Sequence, residues 1–318
     1  MTSTPETDKT DRSSPLAMDV ETARRMWDLP LARRTRELLG RVPGFRPSRR
    51  LGQNFLTNDA AADRLAQVAA DLNPPGVVEI GGGVGALSVA MLRAMPQVRL
   101  IVYEVDARLA ELLAGLLSPA ASRCTVVCAD FLKANPVDVG AEDGWLVAGN
   151  LPYSITTPLL ERIFTGPPQW SAALVMVQRE FADRLMAPPG SRTYGSLSIF
   201  ARFHCREIVR VMELKPGSFW PPPEVSSVAL LLRLRAQPHS FVRDPAAFFE
   251  VVRSAFAHRR KTLFRSLAMS RPLGADEAQI RAAIEAAGID PRARPETLDI
   301  EAFARLAAAL AEAARAGD

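Results

Sequence analysis

The chain has 318 residues, 48% hydrophobic and 23% charged, enough for one large globular domain and a smaller one. No apolar run approaches the length of a membrane span. Three cysteines, Cys124, Cys128 and Cys205, have no matching Cys/His pair; they read as small buried hydrophobes suited to a reducing cytosol and not as a metal site. The net charge of +4 and pI of 9.2 are compatible with an anionic partner and do not demand one.

Residues 1–17 are polar and read as disordered, and the whole of 1–30 reads as a flexible amino-terminal tail. The acids Glu6, Asp8 and Asp11 argue against a transit peptide, and no apolar core marks a signal peptide. Residues 19–40 have a helical pattern in two pieces, broken at Pro30 and ended at Gly40. A basic loop follows, in which Arg46, Arg49 and Arg50 can face phosphates or simply lie in solvent, and it leads into Gly52-Gln53-Asn54-Phe55-Leu56. A helix is predicted over 59–72, stopped by Pro74 and Pro75.

The sharpest local signal is residues 77–87. A short apolar strand runs into Gly81, Gly82, Gly83 and Gly85, then into a helix at 87–95. Glycine is needed where backbone turns tightly or a ligand must approach without meeting a Cβ. The spacing is GxGxG, unlike the GxGxxG of dinucleotide folds, and no Lys-Ser/Thr follows as in a phosphate loop. A cofactor loop is the better reading. A second strand, 99–104, ends at Glu104, 23 positions after Gly81; an acid there suits two ribose hydroxyls, or is a solvent-exposed strand end. A third strand, 125–129, ends at Asp130 and Phe131, a carboxylate that can accept from an adenine amine beside a ring that can pack on the base. A fourth, 145–149, ends in Asn150-Leu151-Pro152-Tyr153. On its own this is an ordinary turn; it can also hold a planar, amine-bearing ring. Strand ends in one parallel sheet share an edge, so Gly81, Glu104, Asp130 and Asn150 are expected to converge.

Further on, residues 158–164 read as a helix, 172–177 as a fifth buried strand and 181–186 as a helix. Residues 203–214 and 225–235 can close the sheet as a hairpin. Between them, Phe219 and Trp220 precede three prolines, Pro221, Pro222 and Pro223, which make a stiff loop. After residue 235 the pattern is helical. The run His258–Arg265 contains Arg259, Arg260 and Lys261, with no Asp or Glu between residues 251 and 275. On a helix it gives a cationic surface with Leu263 and Leu267 inward, a nucleic-acid contact by preference over a solvated face. Two Ala-rich helices, 275–288 and 299–315, end the chain. His204, His239 and His258 share no metal spacing, and none looks catalytic.

Taken in order, Leu51-Gly-Gln-Asn-Phe-Leu56, Glu79-Ile-Gly-Gly-Gly-Val-Gly-Ala-Leu87, Glu104-Val-Asp106, Asp130, Asn150-Leu-Pro-Tyr153, Phe219-Trp-Pro-Pro-Pro-Glu-Val-Ser226 and Arg259-Arg-Lys-Thr-Leu263 resemble the ribosomal RNA adenine N6-dimethyltransferases. The small-subunit branch fits best, and the large-subunit, macrolide-resistance branch is the alternative; a non-catalytic ribosome-assembly factor on the same fold is another. The resemblance implies an α/β fold: a Rossmann-like class I S-adenosylmethionine methyltransferase sheet over 31–236, with a small all-helical RNA-binding domain over 237–318. It implies S-adenosyl-L-methionine as cofactor, near Asn54, Leu56, Gly81, Gly83, Glu104, Asp130 and Asn150. Asn150 and Leu151 would accept the amine hydrogens, Pro152 would fix the turn, and Tyr153 and Phe219 would cover the two faces of the base. It also implies small-subunit rRNA in an immature particle as partner, with no membrane, a monomeric enzyme and a cytoplasmic location. Gly82 stands where a proline is common, Ser88 replaces a threonine, and Trp220 is an additional aromatic.

Overall fold

The computed structural model describes residues 16–237, 239, 241–258 and 260–317. The segment 1–15 and Arg259 lie outside the described residues. The strands are β1 (Phe55–Leu56), β2 (Gly76–Ile80), β3 (Arg99–Glu104), β4 (Cys124–Cys128), β5 (Leu146–Asn150), β6 (Ala172–Gln178), β7 (Cys205–Leu214), β8 (Phe219–Trp220) and β9 (Ser227–Leu234). The helices are α1 (Val20–Trp27), α2 (Leu31–Gly40), α3 (Asp59–Asp71), α4 (Ala86–Ala94), α5 (Ala107–Leu116), α6 (Thr156–Thr165), α7 (Arg179–Met186), α8 (Ser196–His204), α9 (Pro245–Phe256), α10 (Leu263–Ser270), α11 (Glu277–Ala286) and α12 (Ile300–Gly317). Contacts divide the chain into two compact units, one of residues up to 159 with 216–224, the other of 160–215 with 225 onward.

In the first unit four strands run parallel in the order β4-β3-β2-β5. β2 is buried along its whole length, which is why it reads as an apolar run and not as an alternation. Its neighbours lie on opposite sides, β3 next in sequence and β5 much later. The space beyond its carboxyl end is therefore a topological switch point, where open α/β sheets take ligands. α4 follows β2 and is buried from Ala86 to Leu92. Gly76 has the indole of Trp145 where a Cβ would project, so that fully buried tryptophan packs against β2 only because residue 76 lacks a side chain.

The segment 16–42 is part of this unit. Asp19 caps α1 by accepting from Thr22 N at 2.8 Å. Ala23, Met26 and Trp27 share one face; Ala23 and Met26 are buried, and Trp27 Nε1 donates to Leu116 O at the end of α5 at 2.8 Å. Pro30 precedes α2, so the two helical pieces of 19–40 are separate helices.

In the second unit β6, β9 and β7 are antiparallel. β7 and β9 are the expected closing hairpin, with Ile208 opposite Leu232 and a register irregularity between Arg210 and Met212. Its core crosses position 236: Ile199 and Phe203 of α8 belong to the same cluster as Phe248, Leu263, Phe303 and Leu310 of the later helices. Leu263 and Leu267 are fully buried, as their spacing predicts. Among the described residues no helix is long and apolar enough to cross a membrane.

Candidate active site

Three parallel pairings bring the strand ends to one level. Ile80 pairs with Tyr103 on β3 and with Gly149 on β5, and Glu104 pairs with Cys128 on β4. The residues that follow Ile80 and Gly149, Gly81 and Asn150, are therefore neighbours, and Glu104 is level with them. A Cβ on Gly81 would lie 4.0 Å from Asn150 O and meet nothing closer. Gly149 has no side chain because a Cβ there would sit 2.5 Å from Ile80 O; bare backbone lets β5 carry Asn150 up to β2.

The glycine loop divides its labour. Gly81 and Gly82 both donate to Tyr103 O, at 2.8 and 3.2 Å. Gly81 is exposed with φ +76°, so it turns the chain and leaves room above it. Gly82 is buried, and a Cβ there would collide with Val102 and with Leu113 Cδ2. Its requirement for glycine is a packing requirement within the unit, not a ligand requirement.

Glu104 is 6% exposed. Its Oε2 accepts from Gly83 N at 2.8 Å and its Oε1 from Asp106 N at 2.9 Å. Burial pushes its carboxyl up from the ordinary value, and the two backbone donors oppose the shift. Each oxygen keeps lone-pair capacity for a hydroxyl donor. Beneath it, Glu79 is 2% exposed and accepts from Ser88 Oγ at 2.5 Å; burial raises its carboxyl to about 8. Asp106 caps α5, and the Arg108 guanidinium beside it, at 2.7 Å, holds its carboxyl below the usual range.

Asp130 is half-buried and starts a turn, its Oδ1 accepting from Leu132 N at 3.0 Å. Ala129 N donates to Glu104 O at 3.1 Å, which ties the Asp130 turn to the end of β3. The neighbouring ring does not match the sequence expectation: Phe131 turns inward and packs edge-on against Tyr103, centroids 5.4 Å apart, so its face is spent on the core.

Asn150 is half-buried. Its Nδ2 donates to Asn54 O at 2.8 Å, and Oδ1 has no partner among the described residues. Leu151 is buried. Pro152 O accepts from Ile155 N and Thr156 Oγ1, both at 3.1 Å, and Tyr153 opens this short 3-10 turn half-buried. The loop before β1 lies over the turn, since a Cβ on Gly52 would be 2.9 Å from Pro152 Cβ. Gln53 was not singled out by its sequence context, yet it braces this loop: its Oε1 accepts from Ser48 N at 2.7 Å and its Nε2 donates to Asp106 Oδ2 at 3.3 Å. Only the tertiary structure brings Ser48, Gln53 and Asp106 together.

The rest of the rim is the β1–β8 pair, with Leu56 opposite Phe219 and Phe55 opposite Trp220. Phe219 is 3% exposed and Trp220 44%. Phe55 and Trp220 stack, centroids 6.4 Å apart at 17°, and Gly83 packs against the Phe55 ring. Arg46, Arg49 and Arg50 are exposed, with no ion pair among the described residues. Arg260 and Lys261 are likewise exposed, in the turn before Thr262 caps α10; the cationic run is a helix entry and not a helix face.

The model of the family described as ribosomal RNA adenine dimethylase matches residues 44–312. A "Ribosomal RNA small subunit methyltransferase A" of Geobacillus thermodenitrificans is 39% identical over 289 residues, 89% of this chain and 97% of that protein. One of Geobacillus kaustophilus is 40% identical over 291 residues, 89% of this chain and 97% of that protein. Among solved structures, a dimethyladenosine transferase from Plasmodium falciparum matches with TM-score 0.64 at 23% identity, covering 79% of this chain and 95% of that one. The 23S rRNA methyltransferase ErmE matches with TM-score 0.60 at 27% identity, covering 81% and 100%. A strand order with its switch point beside an exposed glycine, an acid ending the strand on one side and an Asn-Leu-Pro-Tyr turn ending the strand on the other agree with these matches, and the chain belongs to the ribosomal RNA adenine dimethylase family.

Proposed function

We propose that the enzyme transfers methyl groups from S-adenosyl-L-methionine to the N6 amines of two adjacent adenosines in the 3′-terminal hairpin loop of small-subunit rRNA. The observation that carries this reading is the approach of Gly81 to Asn150: the one exposed glycine of the loop lies beside the Asn150 backbone carbonyl that ends β5. The near 40% identity to small-subunit methyltransferases over almost their whole length favours that RNA over the large-subunit one.

The residues fit the cofactor. Gly81 is a cradle that a Cβ would fill, and Glu104 still has acceptor capacity for two ribose hydroxyls. Asp130 offers a half-buried carboxylate to the adenine amine, and Asn54 and Leu56 line the methionine end. Gly83 contributes through the hydrogen bond it gives Glu104. When bound, the cofactor supplies an electrophilic methyl on a sulfonium, so positioning matters more than a strong base.

The chain's own residues prepare the amine. Its lone pair is delocalised into the adenine ring and must be localised before it attacks. The Asn54–Asn150 bond engages the Nδ2 donor and fixes the orientation of the amide, leaving Oδ1 to accept; Leu151 O is the second acceptor. Pro152 fixes the turn, Tyr153 covers one face of the flipped base, and Phe219 covers the other. Arg46, Arg49, Arg50, Arg260 and Lys261, with Arg259, contact RNA phosphates. In this reading 31–236 carries the transfer and the helices of 237–318 engage RNA, with the monomer acting on an immature small subunit.

Incubating the enzyme with labelled cofactor and immature small subunits, then mapping modified adenosines, tests this. Two neighbouring N6,N6-dimethyladenosines near the 3′ end are expected; label appearing on the large subunit instead would overturn it.

A further inference from the structure

The second unit contains a cleft of about 590 Å³ that plays no part in the chemistry above. Its wall is a column of rings. Phe164 stacks on His204, centroids 5.2 Å apart at 27°, and His204 on Phe249, 5.9 Å apart at 7°. The two phenylalanines are half-buried. Burial lowers the His204 imidazole to about 4, which leaves the column uncharged at neutral pH. His204 Nε2 and Trp170 Nε1, on two residues lining the cleft, are buried with no hydrogen-bond partner among the described residues, and such atoms normally have one.

The rim is cationic. Arg235 and Arg253 line the cleft and are exposed, and neither forms an ion pair among the described residues. Glu250 is the single acid of the lining, and its Oε1 already accepts from Leu273 N at 2.7 Å. Flat uncharged rings beside two uncommitted guanidiniums match a nucleotide: a base stacks on the rings and a phosphate pairs with the arginines.

The geometry points to a second nucleotide site, in which the cleft between Phe164, Phe249, Arg235 and Arg253 holds one unpaired nucleotide of the RNA substrate, apart from the adenosine that is methylated. This rests on the rRNA-methyltransferase reading and deepens it. A strand anchored here tethers the substrate independently of the base being modified, so loss of the site raises KM for the particle and leaves the transfer step unchanged.

The test cross-links wild-type enzyme to small subunits carrying photoreactive nucleobases and maps the adducts. It then compares methylation by Phe164→Ala and by the surface double variant Arg235→Glu/Arg253→Glu. Adducts in peptides spanning 163–170 or 245–253 are expected, with KM for the particle raised about tenfold in each variant and kcat and cofactor affinity unchanged. Absence of adducts in both peptides, or an unchanged KM in the double variant, overturns the proposal. Equilibrium dialysis with labelled AMP separates the sources: saturable AMP binding lost in the double variant, without RNA adducts, makes this a free-nucleotide site and refutes the RNA assignment. Adduct mapping reads binding without turnover, so a wild-type enzyme that fails to methylate would count against the parent reading and not against this site.

Discussion

At the scale of single residues, two buried glutamates set the behaviour of the site. Glu104 satisfies two backbone donors at once. Glu104→Gln places an NH2 against one of them, so it should cost about 1–3 kcal/mol of stability and raise the cofactor Kd at least tenfold. Denaturant unfolding and calorimetric titration check the two effects. Glu79 has its carboxyl raised from 4.5 to about 8 by burial. A raised carboxyl favours the protonated fold, so its contribution is complete below about pH 4.5 and is lost as pH rises towards 8. Relative to Glu79→Gln, whose amide does not titrate, the native protein should lose stability between those values, as denaturant unfolding at a series of pH values will report. An equal pH dependence in both proteins would exclude the assignment. The residue scale is also where the sequence was least legible. Glu79 looks like any acid beside a glycine loop, and nothing local shows that it lies beneath Ser88. Phe219 and Trp220 are adjacent and both aromatic; in a two-residue strand the faces alternate, and only the pairing with β1 decides which ring is buried.

At the scale of elements, the strand–loop–helix from β2 to α4 separates two uses of glycine that sequence spacing merges. Gly81→Ala adds a methyl in open space and costs only the left-handed backbone conformation, about 1–2 kcal/mol. Gly82→Ala drives a methyl into Val102 and Leu113 and should cost more, in the range of overpacked cores. The predicted split is weaker cofactor binding with near-native melting for the first, and a lowered Tm for the second. The long elements were readable because burial on both faces imposes unbroken apolar runs on β2, β3 and β5, and because Gly81, Glu104 and Asn150 mark where those runs stop. β1 and β8 were not, since two residues carry no period. α8 was missed because Phe200 and Phe203 pack against Phe249, contacts that only the tertiary structure brings about.

At the scale of the molecule, the charge is uneven. A net +4 is small, but Arg46, Arg49 and Arg50 stand exposed in the loop before Asn54, without an ion pair among the described residues. Arg49→Glu/Arg50→Glu should weaken particle binding and reduce the slope of log K against log salt by about 2, with the cofactor Kd unchanged; an unchanged slope would return those arginines to a solvated loop. The amide of Asn150, held by Asn54 at the carboxyl edge of the sheet, is the centre on which the functional reading depends. Asn150→Ala, measured by single-turnover methyl transfer beside a cofactor titration, tests it most directly. The account predicts a fall in transfer rate of at least a hundredfold, about 2.7 kcal/mol, with cofactor Kd within about threefold of native. Equal losses in both, or a native transfer rate, would contradict it.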